Sequence, residues 1–314
     1  MRILIIGGTY FLGKAFLKLC DQEKNEIAVI NRGYKTVPNN EDGHIRTIIC
    51  DRRDAGSLEK IREELPWEQI DAVVDFCAYG PGEIRMLFDA IPQKIGHYIF
   101  ISTADVYRRG TGKALGEDAE LETRDFGGQE GEYILGKAAL EKEVKECAGE
   151  RQIPYTSVRP VTIYGQDNYA PREGLFFHWI QKAGQVLFPE DADGTFQMVY
   201  VRDAAECIYR MMGNQKFYNE GVNLCNQEKV TYDLFVKALE YACGFPLVRV
   251  GVTVADVLER DLPLPFALTS QESEWYLGDR VEQLGVRFCT LEEGLRETYR
   301  WFLGQSEMRE GNQT

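Results

Sequence analysis

Histidine is scarce in this sequence of 314 residues, and the three that occur (His44, His97 and His178) are far apart. The eight cysteines are dispersed as well, without a Cys-x-x-Cys pair, and several lie in apolar runs where a free thiol packs as a small hydrophobic group. Structural zinc sites need clustered ligands of these two types. We therefore predict no metal site and reduced cysteines, which indicates a cytoplasmic protein.

Basic residues are outnumbered, and long apolar runs are missing. The 36 lysines and arginines face 50 aspartates and glutamates, for a formal net charge of −14. Binding to nucleic acid or to a membrane surface depends on clustered positive charge, so both are disfavoured as partners. No run approaches the roughly 20 apolar residues of a membrane span, and the N-terminus lacks the pattern of a signal peptide.

Short apolar runs alternate with helical segments over the first 160 residues. Runs that are apolar on both faces fit a parallel sheet covered by helices. The pattern predicts an α/β fold: a Rossmann-like doubly wound parallel sheet in residues 1–160, then a smaller C-terminal substrate lobe in 161–314, some segments of which can return to the core. The predicted strands of the sheet are 2–6, 27–30, 46–49, 72–75, 98–101 and 155–158.

The connecting segments are less regular. Residues 57–65 are predicted to be helical, with Ser57 as the N-cap. The polar, glycine-rich stretch 108–131 is long for a connection and is predicted to be a functional loop or lid. In the second half we predict strands at 198–201 and 222–224 and helices at 173–183, 202–212, 232–242 and 291–303.

The first strand runs into the glycine turn Gly7-Gly8-Thr9-Tyr10-Phe11-Leu12-Gly13, which a helix follows. A strand, a tight glycine turn and a helix N-terminus form an anion site, because free N–H groups and the helix dipole face a pyrophosphate. Gly7 permits the turn and Gly13 permits close packing, but Tyr10 stands where the middle glycine is usual. Glycines with a purely structural role are the alternative.

The residues after the second and third strands bear on the choice of dinucleotide. Asn31 and Arg32 end the second strand, where an acid would bind the ribose hydroxyl of NAD and an arginine would accept the 2′-phosphate of NADP. Arg32 therefore favours NADP slightly, although a solvated arginine explains it nearly as well. Asp51 can accept a hydrogen bond from the adenine amino group, or it can simply cap a turn.

A tyrosine and a lysine share one face of a later helix. Positions 133, 137, 140, 144 and 147 form a stripe, so Lys137 lies on the face that should be apolar, one turn from Tyr133. A tyrosine with its ordinary pKa of about 10 is a poor base. A nearby ammonium and a charged nicotinamide would both lower that pKa and allow proton exchange. An ordinary core or surface pair is the alternative.

Four motifs follow one another along the chain: the glycine turn, Ser102-Thr103-Ala104-Asp105-Val106-Tyr107, Tyr133-x-x-x-Lys137 and Arg159-Pro160-x-x-Ile163-Tyr164-Gly165. Together with 198–205 and 291–295, they resemble the extended short-chain dehydrogenase/reductase family, which includes the nucleotide-sugar epimerases and dehydratases. The resemblance covers nearly the whole chain. Tyr10, residues 31–33 and residues 51–54 are similar to an atypical branch, which includes bacterial epimerase/dehydratase-like proteins and chloroplast stem-loop RNA-binding proteins.

The resemblance implies a role for each matching residue. Thr103 would hydrogen-bond the reacting hydroxyl or carbonyl, Tyr133 would be the general acid/base, and Lys137 would hold the nicotinamide ribose and tune Tyr133. The implied contacts to NAD or NADP are Gly7, Thr9, Tyr10, Phe11, Leu12, Gly13, Asn31, Arg32, Asp51, Arg52, Phe76, Cys77, Ala78, Lys137 and Pro160. The candidate substrate contacts are Ser102, Asp105, Arg172, Gln197 and Arg202.

One departure from the family pattern discriminates among reactions. Sugar dehydratases carry an Asp-Glu pair after the threonine, whereas this chain has Ala104 and Asp105. The resemblance therefore implies an epimerase or a reductase acting on a hydroxyl/carbonyl centre, with a nucleotide sugar as the candidate substrate, and disfavours a dehydratase. It also implies a homodimer. The alternative is a non-catalytic module that senses a dinucleotide or binds RNA.

Overall fold

The architecture is described from a computed structural model for residues 1–23, 25–37 and 44–311. The strands in chain order are β1 (Arg2–Ile6), β2 (Glu26–Asn31), β3 (Arg46–Ile49), β4 (Gln69–Ile70), β5 (Ala72–Asp75), β6 (Lys94–Ile95), β7 (Tyr98–Ile101), β8 (Tyr155–Pro160), β9 (Thr162–Tyr164), β10 (Gln185–Pro189), β11 (Met198–Tyr200), β12 (Glu220–Leu224) and β13 (Val248–Val252). The α-helices are α1 (Phe11–Gln22), α2 (Ala55–Glu64), α3 (Glu83–Ala90), α4 (Gly128–Arg151), α5 (Glu173–Ala183), α6 (Val201–Met211), α7 (Tyr232–Cys243), α8 (Val254–Glu259), α9 (Asp279–Glu282) and α10 (Leu291–Gly311).

Seven strands form one parallel sheet in the order β12-β8-β7-β5-β1-β2-β3. Ile5 of β1, for example, pairs with Val29 of β2 on one side and with Val74 of β5 on the other. Parallel neighbours require crossover connections, which here place helices on both faces. The predicted Rossmann-like doubly wound sheet is therefore confirmed, and all six strands predicted for it lie within it.

Two hydrophobic cores lie on the two faces of this sheet. Ile3 and Ile5 of β1 point into one core, and Leu4 and Ile6 point into the other; all four are at most 1% exposed. The second core is closed by α2, α3 and α4. The first is closed by α1 and α6 and continues into the C-terminal half of the chain. Strands buried on both faces explain why the sequence runs are apolar throughout.

The smaller lobe contains two short parallel pairs, β9 with β11 and β10 with β13. Its interior is rich in aromatic side chains, and the rings of Phe196 and Phe266 stack with their centroids 4.2 Å apart. Two segments beyond residue 160 join the first half of the chain: α6 packs against α1, and β12 pairs with β8. The division into two domains near residue 160 stays a prediction. It included the possibility that some later segments pack with the first domain, as α6 and β12 do.

One local prediction, the N-cap of α2, needs correction. Helix α2 begins at Ala55 because the side chain of Asp54 accepts hydrogen bonds from the next backbone N–H groups, so Ser57 is not the N-cap. The stretch 108–131 includes the first residues of α4 and is held by β-bridges from Tyr107 to Leu121 and from Leu115 to Tyr276. In residues 1–23, 25–37 and 44–311, we find no helix able to cross a membrane and no cluster of three metal-binding side chains.

Candidate functional site

One large cavity opens at the carboxyl ends of the central strands. Its volume is about 1150 Å³, and its walls include the residues that follow β1, β5 and β7. Residues of the smaller lobe, among them Phe196 and Phe266, form part of the wall. Open parallel sheets bind ligands at this edge, and pockets for small molecules usually measure about 300–1,000 Å³. The cavity therefore has the position and the size for a large ligand.

The glycine turn after β1 forms one end of the cavity. Gly7 and Gly8 have φ angles of +89° and +80°, which glycine adopts without strain. A Cβ atom on Gly13 would lie only 2.6 Å from the Cα atom of Gly8, so the first turn of α1 packs directly on the glycine turn. Among the described residues, no side chain caps the N-terminus of α1, and the first N–H groups of a helix have no acceptor within it. Backbone N–H donors and the positive end of the α1 helix dipole therefore face the cavity.

Tyr10 is accommodated in this turn because its side chain lies at the mouth of the cavity. The residue is 53% exposed, and its ring meets that of Tyr169 edge-on, with the centroids 6.5 Å apart. The next residue, Phe11, has a φ angle of +34°, which side-chain-bearing residues rarely adopt. A locally strained backbone at the start of α1 is typical of a functional turn.

Lys137 lies on the cavity wall and is only 4% exposed. Its Nζ donates hydrogen bonds to the carbonyls of Ala78 and Ile101, at 3.0 and 2.9 Å, and lies 4.5 Å from the ring centroid of Tyr79. Burial lowers the pKa of this amine to about 8. Lys137 therefore connects the segments after β5 and β7, and one of its three N–H groups is left for another acceptor.

Tyr133 lies one turn before Lys137 on α4 and is 42% exposed. Thr103 lies across from it and donates a hydrogen bond from its hydroxyl to Asp105 Oδ2, at 3.0 Å. Burial and the negative charge of Asp105 raise the pKa of Tyr133 to about 12, and hydrogen bonding to Thr103 offsets only part of this rise. The lowering of this pKa by Lys137 together with a charged nicotinamide stays a prediction; in the chain by itself, burial outweighs the favourable contacts.

A chain of ion pairs continues from Asp105 along the wall. Its Oδ1 lies 3.1 Å from Nη2 of Arg109, whose Nη1 lies 2.7 Å from Oε1 of Glu130. All three side chains line the cavity. Arg109 therefore connects Asp105, beside Thr103, to Glu130 on α4.

Most of the predicted site residues meet in this cavity. The predicted residues that line it are Gly7, Thr9, Tyr10, Phe11, Leu12, Gly13, Arg32, Phe76, Cys77, Ser102, Thr103, Asp105, Tyr133, Lys137, Pro160, Arg172 and Gln197. Five predicted residues do not line it: Asn31, Asp51, Arg52, Ala78 and Arg202.

Asp51 and Arg52 do not line the cavity, and their side chains are bonded to other residues of the chain. Asp51 accepts hydrogen bonds from the backbone and side chain of Arg53, which lower its pKa to about 2. Arg52 is 7% exposed, contacts both carboxylate oxygens of Asp75 at 2.6 and 2.8 Å and pairs with Glu83 at 3.2 Å. Their predicted contacts to a cofactor are therefore not supported.

The other three residues outside the lining have structural partners. Arg202 forms an ion pair with Glu297, at 3.1 Å, and its prediction as a substrate contact is not supported. Ala78 is buried and contributes its carbonyl to Lys137. Asn31 accepts a hydrogen bond from the backbone N–H two residues further on, at 2.7 Å, and so shapes the turn after β2.

Lining the cavity does not leave every polar group free for a ligand. Ser102 donates its hydroxyl hydrogen to Glu141, at 2.6 Å. Gln197 donates to two backbone carbonyls, at 2.9 and 3.1 Å, and accepts from the N–H of Tyr276, at 2.7 Å. Arg172 differs from both, since its guanidinium forms no hydrogen bond or ion pair within the described residues. It is the predicted substrate contact with the most donors available.

Several lining residues were not predicted from the sequence. Arg109 and Glu130 lie near the two ends of the predicted loop, and Glu274 and Tyr276 come from far along the chain. The loop itself was a signal for the first pair. No local pattern marks the last two, which the long-range bridge between Leu115 and Tyr276 brings to the cavity.

Comparisons with known proteins agree with this architecture. The sequence profile of the NAD dependent epimerase/dehydratase family matches residues 3–225. A chloroplast stem-loop binding protein of 41 kDa from Arabidopsis thaliana is 28% identical over 256 residues, which make up 78% of this chain and 64% of the plant protein. The chain thus spans slightly less than two thirds of the length of that relative.

Two solved structures have a similar fold. The UDP-glucose 4-epimerase of Thermotoga maritima, determined with UDP-glucose, has a TM-score of 0.76 and 18% identity, covering 97% of this chain and 99% of that one. The UDP-glucose 4-epimerase of Thermus thermophilus, determined with NAD, has a TM-score of 0.72 and 21% identity, with the same coverage. Since the family profile matches well over half of the residues, this chain belongs to the NAD-dependent epimerase/dehydratase family.

Proposed function

We propose that this protein is an NAD(P)-dependent oxidoreductase or epimerase that acts on a hydroxyl/carbonyl centre. The observation that carries the proposal is the meeting of the glycine turn with Thr103, Tyr133 and Lys137 in one cavity. Anion donors at one end and a proton-transfer group at the other are what hydride transfer coupled to proton transfer requires. Membership of the family supports the same reading.

The residues at the glycine turn fit a dinucleotide of the NAD type. The contact between Gly8 and Gly13 leaves no room for a Cβ, and uncapped N–H groups of α1 border the cavity. At the end of β2, Arg32 lines the cavity at the position where the ribose of a dinucleotide approaches such a sheet, and its guanidinium favours a 2′-phosphate.

The chain's own groups divide the remaining work. When bound, the nicotinamide ring would supply or accept a hydride. Tyr133 gives its hydroxyl proton to a carbonyl oxygen during reduction, and its phenolate takes the proton back from a hydroxyl during oxidation. The hydroxyl of Thr103 donates to Asp105 Oδ2 and accepts from the N–H of Asp105, at 3.2 Å, so one lone pair of its oxygen is left for a substrate hydroxyl. Lys137 offers its remaining N–H to the ribose.

The pKa of Tyr133 in the chain by itself is about 12, so its phenol is protonated at neutral pH and is a weaker acid than an ordinary tyrosine. A positive charge close to the phenol would lower that pKa and favour proton transfer. Proton transfer at Tyr133 is therefore coupled to the charge that occupies the cavity.

A nucleotide sugar is the candidate substrate class. The cavity of about 1150 Å³ extends past Tyr133 to Arg172, whose free guanidinium suits an anionic group. The Thermotoga maritima enzyme of similar fold was determined with UDP-glucose. Ala104, where a dehydratase needs an acid, favours an epimerase or a reductase.

The test follows nicotinamide reduction in the purified protein with a panel of UDP- and dTDP-sugars, together with product analysis for the epimer. We expect Tyr133→Phe to lower the rate by about 10²–10⁴-fold, the usual contribution of general acid/base catalysis. Tyr241→Phe is the matched control, because that phenol is similarly exposed (50%) but bonds to Arg296 and does not line the cavity. Wild-type turnover in Tyr133→Phe would refute the assignment.

A binding module is the second candidate function, and one observation favours it: the Arabidopsis thaliana relative is named for stem-loop binding. The net charge of −14 opposes it, since affinity for RNA comes largely from neutralising phosphates. Retention of a labelled RNA stem-loop on a filter, weakening steeply with salt, would support the module. If the RNA is not retained and the first assay shows turnover, the binding module is refuted and the enzyme assignment stands.

A further inference from the structure

The peptide group between Ala78 and Tyr79, just after β5, is bonded at both ends. Its N–H, which belongs to Tyr79, donates to Oε2 of Glu83, at 3.1 Å. Its carbonyl, which belongs to Ala78, accepts from Nζ of Lys137, at 3.0 Å. In the low dielectric of a protein interior, hydrogen bonds in series polarise one another. A carboxylate and an ammonium are therefore connected through a single peptide group.

The ring of Tyr79 provides a second contact with the same amine. Nζ of Lys137 lies 4.5 Å from the centroid of this ring and 4.9 Å from that of Phe100. Cation–π contacts of this kind favour the charged form of an amine. Because the N–H of Tyr79 is bonded to Glu83, the carboxylate holds the residue whose ring covers the ammonium.

Glu83 is the first residue of α3, and it is only 8% exposed. Its Oε2 lies 3.2 Å from Nε of Arg52, and its backbone carbonyl accepts from Nη2 of the same arginine, also at 3.2 Å. A Cβ atom on Gly80 would lie 3.0 Å from Oε1 of Glu83, so the turn before α3 closes tightly on the carboxylate. The acceptor for the N–H of Tyr79 is thus held from two sides.

Four buried charges lie close to this peptide group, and they balance. Arg52, Asp75, Glu83 and Lys137 are each at most 8% exposed. Arg52 contacts both oxygens of Asp75, at 2.6 and 2.8 Å, so these two charges compensate each other. What remains is the carboxylate of Glu83 and the ammonium of Lys137, which forms no ion pair within the described residues. Since an uncompensated buried charge is costly, each of the two stabilises the charged form of the other.

We propose that Glu83 and Tyr79 are positioning residues for Lys137, and that they act through the peptide group after β5. Glu83 does not line the cavity, whereas Tyr79 and Lys137 do, so the carboxylate acts without contact to a ligand. It fixes the carbonyl and the ring that hold the ammonium, and its charge favours the protonated amine. The inference rests on the proposed function for the task of Lys137, which there serves the ribose of a dinucleotide.

An NMR titration of the full-length protein, labelled with ¹³C-lysine, tests this arrangement without a ligand. The signal of Lys137 is the one absent from Lys137→Met, and burial lowers the pKa of this amine to about 8, so its midpoint is expected there. Glu83→Gln keeps an acceptor for the N–H of Tyr79 but removes the negative charge. The midpoint should therefore fall by about half a unit to one unit, which is less than the loss of a directly bonded partner would cause.

The other groups that face the amine are unchanged in this variant. Asp75 and Arg52 keep their opposite charges, and burial raises the pKa of the Cys77 thiol to about 11, so the thiol is neutral near the midpoint. Tyr79→Leu removes the ring and should lower the midpoint by a similar amount, whereas Tyr79→Phe keeps the ring and should not. Tyr79 is 58% exposed, so both of its variants should fold.

Glu173→Gln is the matched control for Glu83→Gln. Glu173 is also the first residue of a helix, α5, is 1% exposed and accepts a backbone N–H, that of Gly165, at 2.9 Å. Its carboxylate also accepts from the side chain of Asn168, at 2.9 Å, and so belongs to the smaller lobe. This substitution removes a buried carboxylate of the same kind and should leave the midpoint of Lys137 unchanged.

Calorimetric titration with NAD⁺ and NADP⁺ measures the consequence for binding. Glu83→Gln should bind a dinucleotide about threefold more weakly than the wild type at about pH 8 and equally well at about pH 6. The reason is that the fraction of charged Lys137 differs between the two proteins only near the midpoint.

An unchanged midpoint in Glu83→Gln or in Tyr79→Leu would overturn the inference, and so would an equal shift in Glu173→Gln. A shifted midpoint without any loss of dinucleotide affinity at about pH 8 would also contradict it. If the wild type binds neither dinucleotide, the proposed function is wrong, and the midpoints alone then support or overturn the positioning of Lys137.

Discussion

Replacing Gly13 with alanine tests whether α1 packs on the glycine turn as closely as the structure shows. The new Cβ would lie 2.6 Å from the Cα of Gly8 and 3.1 Å from its carbonyl carbon, whereas carbon atoms normally pack at about 3.5–4.0 Å. Both partners are backbone, so α1 and the turn must separate by about 1 Å. Overpacking of this kind costs about 1–3 kcal/mol, and the better helix propensity of alanine returns at most about 1 kcal/mol.

Two assays measure the consequences of Gly13→Ala. Urea denaturation should show a net loss of about 1–2 kcal/mol, and titration with dinucleotide should show at least a tenfold loss of affinity, because the N–H donors of α1 move. Gly149→Ala is the control: that site, also in a helix, has nothing within 4 Å of the new Cβ and should gain up to about 1 kcal/mol. If Gly13→Ala behaves like Gly149→Ala in both assays, the close packing of α1 on the glycine turn is not needed for stability or for dinucleotide binding.

Three further outcomes are expected. The pKa of Lys137 is lowered to about 8, so its ammonium is lost above that pH. Dinucleotide affinity, measured by calorimetry, should therefore fall as the pH rises through about 8. In Lys137→Met the affinity should not change over the same pH range. Asp105→Asn removes a charge that raises the pKa of Tyr133, so the ultraviolet titration of that phenol, identified by its absence in Tyr133→Phe, should shift below about 12. Arg52→Met leaves the fully buried Asp75 without its positively charged partner and should lower the free energy of unfolding in urea by about 3–5 kcal/mol. A loss below about 1 kcal/mol would contradict a buried ion pair.

The sheet and the catalytic helix could be predicted because their signals are local. Runs that are apolar on both faces marked every strand predicted for the main sheet. The helical stripe that starts at Tyr133 predicted the burial of Lys137, Leu140, Val144 and Cys147, and all four are buried. Position on a repeating pattern is enough to decide such features.

The roles of charged residues could not be predicted in the same way. Asp51 and Arg52 looked like cofactor contacts, yet Arg52 forms an ion pair with Asp75. Asp75 lies on β5, and a periodic sequence pattern does not reveal a contact between segments that are far apart in the sequence. Arg202 likewise has its partner on α10. A charged side chain binds a ligand only if no other residue has already paired with it, and this depends on the tertiary fold. The cytoplasmic location and the homodimer stay predictions.

The most direct test of the central claim is to denature freshly purified protein and identify any released nucleotide by mass spectrometry, with titration of both dinucleotides if none is found. A nicotinamide dinucleotide, released or bound on titration, is the result we predict. Released NAD⁺ would favour an epimerase that regenerates its cofactor, and an empty protein that binds NADPH would favour a reductase. If no nicotinamide dinucleotide is released and none binds, the glycine turn does not serve hydride transfer and the proposed function is wrong.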